Sequence, residues 1–173
     1  MVRRANRRLK AAPASHPAGR PVSASRTEMV EVVLPQDANA LGTALGGRVM
    51  HLVDMVAAIA ALRHCRAAVV TASVDHIDFR SPIQVGELII LKSSVNRAFR
   101  TSLEVGVKVF SENPLTGERR HTTSAYLTFV ALDENRQPKS VPAVSCETQE
   151  DRRRYREALA RRKTRLAHRY KSD

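Results

Sequence analysis

Between residues 45 and 62 the chain reads Leu45-Gly-Gly-Arg-Val-Met-His-Leu-Val-Asp-Met-Val-Ala-Ala-Ile-Ala-Ala-Leu62, and from Leu52 onward every position except Asp54 is apolar. Val49, Leu52, Val53, Val56, Ile59 and Ala60 recur at helical spacing on one face, which predicts a helix over residues 46–64. A helix that is apolar on all sides is a buried one. The pattern therefore places this helix at the centre of the fold and Asp54 inside it, where a carboxylate is rare unless it is paired or used. Ala57, Ala58, Ala60 and Ala61 keep its second half slim, so that neighbouring backbone can approach.

On both sides of the helix the period falls to two. Residues 27–34 are valine-rich, alternate loosely and stop at Pro35, which reads as a strand. Residues 68–79, 87–96, 101–110 and 120–132 follow the helix as four further strands. The third alternates most clearly, with Leu103, Val105, Val107 and Val109 on one side and Glu104 and Lys108 on the other. Four strands in series predict an antiparallel meander. With the first strand this makes an α+β fold, a five-stranded curved antiparallel sheet wrapped around one central helix. Residues 148–170 predict an extra C-terminal helix: Thr148 and Asp151 form a capping box, acids lead and bases follow. Tyr155, Leu159, Leu166 and Tyr170 give it a narrow apolar stripe, so it is expected to be solvated and to dock lightly.

The formal charge of +12 in 173 residues raises the question of nucleic acid. Its distribution answers against it. Residues 1–26 carry seven basic side chains and no acid, residues 27–145 carry twelve of each, and residues 146–173 carry ten basic and five acidic. The middle of the chain is thus neutral, and nucleic acid is an unlikely partner for the folded core. The expected organisation is a disordered basic tail over 1–26, a domain over 27–145 and a basic C-terminal helix over 146–173. No run is long and apolar enough for a membrane span, so no membrane partner is expected. The expected location is cytoplasmic, with organelle targeting as the alternative because the first residues are Arg- and Ser-containing and acid-free. Cys65 and Cys146 show neither metal spacing nor a disulfide framework.

Asp54 is the residue with the most chemistry to offer. Gly47, Met50 or His51, Asp54 and Ala58 follow one another down one side of the helix. The carboxylate thus faces the way of the helix N-terminus, whose free N–H groups can hold an oxyanion. At that start, Gly46 and Gly47 let a substrate carbonyl come close to the backbone. Asn39, in the glycine-rich loop before the helix, either orients a water or a carbonyl or simply forms a turn. His51 reads as an ordinary helix residue, His64 and His76 have no partner spacing, and no Ser-His-Asp order or metal cluster can be assembled.

The stretch Asp37-Ala-Asn-Ala-Leu-Gly-Thr-Ala-Leu-Gly-Gly-Arg-Val-Met-His-Leu-Val-Asp54 resembles the signature of hotdog-fold acyl-CoA thioesterases, nearest to the small bacterial YciA type and the cytosolic (brain-type) acyl-CoA hydrolases. The likeness continues through Val70-Thr-Ala-Ser-Val-Asp-His-Ile-Asp-Phe-Arg-Ser-Pro-Ile-Gln-Val-Gly-Glu-Leu88, through residues 100–109 and through residues 125–132, in that order. Leu45 departs from the Phe or His common before Gly-Gly, and Leu41 from a small or polar residue in the loop. Neither change removes a catalytic group. The resemblance implies a hydrolase in lipid and fatty acid metabolism that splits acyl-CoA into a carboxylic acid and CoA. It implies Asp54 as general base or nucleophile, Asn39 as the second polar group and the Gly47 N–H as oxyanion donor. It also implies a homodimer as the minimal unit, with Asn39 of one subunit meeting Asp54 of its neighbour, and a trimer of dimers, hence a hexamer, as the larger assembly.

No cofactor or metal is expected, since thiolate is a tolerable leaving group. Gly46 and Ser102 are candidates for contact with the substrate. CoA phosphates need cations; Arg97, Arg100, Arg119 and Arg120 lie near turns, and Arg100 opens a stretch shared with the family. Two rivals stand beside the thioesterase. A hydratase on the same fold would use a His–carboxylate pair, and no histidine falls at a motif position. A non-catalytic acyl-CoA sensor would use the basic ends to touch nucleic acid, and residues 1–26 lack the pattern of a helix-turn-helix.

Overall fold

The computed structural model describes residues 19–75 and 77–169. The elements in chain order are β1 (Arg20–Pro21), a 3-10 turn (Val22–Ser25), β2 (Thr27–Val32), α1 (Gly46–Cys65), β3 (Ala68–Val74), β4 (Leu88–Ala98), β5 (Ser102–Glu112), β6 (Arg119–Leu132), β7 (Val144–Ser145) and α2 (Gln149–Arg169). The main sheet is antiparallel with order β2-β4-β5-β6-β3, and β1 pairs with β7 in a separate parallel ribbon. The helix and strand periods of the sequence thus give the five-stranded sheet and central helix they predict.

The expected four-strand meander does not form. β4, β5 and β6 are consecutive neighbours, but β3 crosses to the far edge and pairs with β6 alone. Residues 75–87 are too long for a tight hairpin, and β6, with 14 residues, is long enough to serve both β5 and β3. β3 therefore keeps one open edge.

α1 lies against the concave face, where Leu52, Val53 and Val56 pack with Leu91, Val105 and Phe129. It ends because Arg66 turns left-handed (φ 51°), its N–H bonding back to Leu62 O. Contrary to the reading of α1 as buried all round, one of its faces is open. Met50, Met55 and Leu62 on α1, with Val74 on β3, are 40–47% exposed. Periodicity registers apolar sides; it does not say whose atoms cover them.

The expected tail also needs correction where it is described. From Arg20 the chain is part of the fold: Val22 and Ser25 are buried, and Arg20 Nη1 donates to the last carbonyls of α1 at His64 (2.9 Å) and Arg63 (3.3 Å), a cation at a helix C-terminus. Residues 1–18 lie outside the described residues, as do His76 and Tyr170.

His64, 0% exposed, donates from Nε2 to Pro142 O at 2.9 Å, and its Nδ1 has no hydrogen-bond partner among the described residues. Burial pushes its pKa below the ordinary value, the Pro142 carbonyl works against this, and Arg20 adds to the lowering. The unfolded chain therefore binds a proton near pH 6.5 that the folded chain refuses. The stability contributed is present above about pH 6.5 and is lost as pH falls toward the folded value, by at most about 1.4 kcal/mol per pH unit. Thermal unfolding of wild type against His64→Gln between pH 5 and 8 should show a steeper acid loss in wild type; parallel curves would contradict it.

α2 lies across the convex face and is not lightly docked. Its N-terminus has the expected capping box, with Asp151 N–H donating to Thr148 Oγ1 and Thr148 N–H to Asp151 Oδ2. The docking face, however, is built from arginines around the buried Ala158, while Leu159 and Leu166 face solvent. Arg161 pairs with the fully buried Glu104 at 2.7 Å and covers the Tyr126 ring at 3.7 Å, and Arg165 chelates Asp75. Asn96 Nδ2 also donates to Glu104, over Gly106, where a Cβ would meet that nitrogen at 2.7 Å. The outer sheet face is polar here, so arginines dock on it better than leucines would.

Candidate active site

Asp54 sits on the open face of α1, half-buried rather than enclosed. Thr71 Oγ1 donates to its Oδ1 at 2.7 Å, and among the described residues no donor meets Oδ2. Thr71 reaches it because β3 runs beside α1 and pairs Thr71 with the core residue Phe129. The register then slips at Ala72, so Val74, opposite Leu127, faces the same side. Thr71 is the site residue that the sequence reading missed. Its one signal is a polar side chain on the helix-facing side of the strand after α1, which any β-strand threonine can give.

The loop before α1 closes on itself. Leu45 N–H donates to Asp37 O, Asn39 N–H to Thr43 O, and Gly42 N–H to Asn39 O, with Gly42 at φ 73°. Asn39 Oδ1 accepts from the N–H of Leu41 (2.9 Å) and of Thr43 (3.3 Å), and its Nδ2 donates to Thr43 Oγ1 (2.9 Å). Within one chain Asn39 thus makes a turn, and no hydrogen bond joins it to Asp54 among the described residues. The Arg48–Asp37 ion pair (3.1 Å) ties the loop to the helix.

α1 starts without a side-chain cap. The amides of Arg48 and Val49 bond to Leu45 O, whereas those of Gly46 and Gly47 find no acceptor among the described residues, as orphans of the first turn. A Cβ at Gly47 would touch nothing within 4 Å; one at Gly46 would meet the Phe79 ring at 3.6 Å. A recess of about 340 Å³ opens here, walled by Gly46, Val49, Phe79, Pro82 and Ile83. The larger groove, about 640 Å³, lies on the outer face beside the start of α2 and does not include Asp54.

Two of the expected CoA contacts are engaged elsewhere. Arg97 stacks on Tyr155 (4.0 Å) and Phe99 (5.6 Å) and donates to Tyr155 O. Ser102 Oγ accepts from Arg162. Both therefore serve the seating of α2, for which the isolated strand ends gave no hint. Arg119 and Arg120 pair with Glu112 and Glu87. Arg100 is exposed, and among the described residues its guanidinium has no acceptor. Burial pushes the Cys65 thiol up to about 11 and also raises that of Cys146, so neither is a poised nucleophile. Among the described residues no cluster of His, Cys, Asp or Glu could hold a metal ion, and no helix is long and apolar enough to cross a membrane.

Residues 41–118 match the family model of the Thioesterase superfamily. The chain is 44% identical to mouse acyl-coenzyme A thioesterase 11, over 87% of this chain and 25% of that protein, so it spans about a quarter of that relative. It is 43% identical to the uncharacterized acyl-CoA thioester hydrolase YkhA of Bacillus subtilis, over 79% of this chain and 81% of YkhA. A crystal structure of an apo-hexameric acyl-CoA thioesterase superposes with a TM-score of 0.85 at 46% identity, covering 87% of this chain and 97% of that one. The Staphylococcus aureus acyl-CoA hydrolase, solved with butyryl-CoA and CoA, gives 0.83 at 37% identity over 88% and 93%. Alanine variants of that enzyme have been solved at an aspartate, at an asparagine fifteen positions before it and at a threonine seventeen after it.

Proposed function

This chain belongs to the Thioesterase superfamily, and on that premise we propose that it hydrolyses acyl-CoA to a carboxylic acid and CoA, with Asp54 as the reacting carboxylate. One observation carries the assignment. Asn39, Asp54 and Thr71 have the same fifteen- and seventeen-residue spacings as the three positions probed in the Staphylococcus enzyme, and here Thr71 hydrogen-bonds Asp54.

Thr71 holds Oδ1 and leaves Oδ2 to take a proton from water or to attack the thioester carbon. The first route gives acid and CoA directly; the second forms an anhydride that water opens. Gly47 lies seven residues before Asp54, about 10 Å along the helix axis. An oxygen held on the Gly47 amide lies beyond that end of the helix, out of reach of Asp54 of the same chain, so the Gly47 amide that serves one Asp54 is taken, with Asn39, from a second copy. The recess beside Gly46 receives the acyl end, and Arg100, which has no acceptor among the described residues, is the one of the four candidate arginines left for a CoA phosphate. The chemistry asks for no metal or other cofactor.

The site is completed by a second copy. β3 offers an open edge and, with α1, an apolar face, which a lone protein does not leave bare. A homodimer covers that face and brings Asn39 of one protomer toward Asp54 of the other, with larger rings of dimers built on that unit.

Thiol release from acyl-CoAs of two to sixteen carbons tests the reaction. CoA should appear from at least one of them; binding without release from any would favour a sensor instead.

A further inference from the structure

The arginine-rich C-terminal helix lies outside the matched family segment, and its contacts lead back to the site. Arg165 Nη1 donates to both oxygens of Asp75, at 2.7 and 2.9 Å, across ninety residues of sequence, in a half-buried pair. Asp75 follows β3 directly: its N–H donates to Tyr126 O at 2.9 Å, and the Tyr126 ring lies under Arg161. Upstream of Asp75, four residues away, Thr71 holds Asp54, and the register slip falls between them. Downstream, Thr123 Oγ1 donates to Asp78 O and Arg80 N–H to Thr122 O, seating the Phe79–Ile83 wall of the recess. Within one chain β3 is bonded along one edge only, by β6, and it is the end beyond the register slip that Arg165 reaches from α2.

We propose that Arg165 is a positioning residue: by gripping Asp75 from α2 it fixes the exit of β3, and so keeps the Thr71 hydroxyl on Asp54 and the recess wall against the start of α1. It touches neither substrate nor Asp54 and acts through the strand. The inference rests on the reading of Asp54 and Thr71 given above.

The test compares Arg165→Leu, Arg165→Lys and the charge swap Asp75→Arg/Arg165→Asp with wild type in the full chain, using butyryl-CoA or whichever acyl-CoA is turned over best. Arg165→Leu should lower kcat by about tenfold, the order expected for a small misplacement of a reacting group, with KM changed by less than about twofold. Arg165→Lys or the swap should recover most of the loss. In a Thr71→Val background Arg165→Leu should cost little more, because both act on one hydrogen bond. Amide hydrogen exchange over residues 71–75 should quicken in Arg165→Leu. If kcat is unchanged, if the losses at Thr71 and Arg165 multiply, or if exchange quickens over the whole chain alike, Arg165 is a stability residue and the proposal fails. Should Arg165→Leu not fold, Arg165→Gln, which drops the charge but keeps a polar side chain, carries the same kinetic and exchange readouts. A wild type that releases no CoA overturns the hydrolase reading alone, and exchange at residues 71–75 then decides the grip on β3.

Discussion

Asp54→Asn is expected to lower kcat by about a hundred- to ten-thousand-fold, the range typical for loss of a general base, while the protein keeps its fold. Asparagine is close in size, and its Oδ1 can still accept from Thr71, so the hydrogen bond at 2.7 Å survives. What disappears is the negative charge on the oxygen that faces the open side. Because the carboxylate is half-buried and pairs with no cation among the described residues, removing its charge strands no buried partner among them. Unfolding curves should therefore overlay while thiol release collapses. A kcat within tenfold of wild type would show that the reacting carboxylate lies elsewhere.

Arg161→Leu should produce the largest loss of stability. Glu104 is 0% exposed, and Arg161 meets it from outside at 2.7 Å, its guanidinium lying over Tyr126. Without Arg161 the carboxylate keeps, among the described residues, Asn96 Nδ2 alone, and a buried charge left without its partner typically costs about 3–5 kcal/mol. Urea unfolding should register that loss. The double variant Glu104→Leu/Arg161→Leu should recover much of it, since the charge that needed compensation is gone. A loss below about 1 kcal/mol in Arg161→Leu would mean that α2 is held by its other contacts.

Much of this architecture is legible in the sequence because α1 and the strands carry strong, consistent periods. The destination of β3 is not, since strand order depends on the path of residues 75–87 and not on alternation within β3. The docking of α2 escapes for a different reason: leucines mark a sticky face in sequence, whereas here Arg161 and Arg165 find acids that only the folded sheet brings under them. Arg97 and Ser102 read as ligand contacts for the same reason, because their partners on α2 lie some sixty residues away. At the site, Asp54 and the Gly46–Gly47 start stand out by pattern. Thr71 does not, and its role becomes visible only through its distance to Asp54. The apolar sides of α1 are also plain in the sequence, but the sequence does not reveal that one of them stays open within a single chain.

Subunit complementation tests the central claim most directly. Asn39→Ala and Asp54→Ala proteins, each inactive alone, are unfolded together and refolded as a mixture. If each site takes Asn39 from one protomer and Asp54 from the other, half of the randomly formed dimers carry one intact site, and about a quarter of wild-type activity returns. If the mixture stays as inactive as its parents, the two residues work within one chain, and the shared site is wrong.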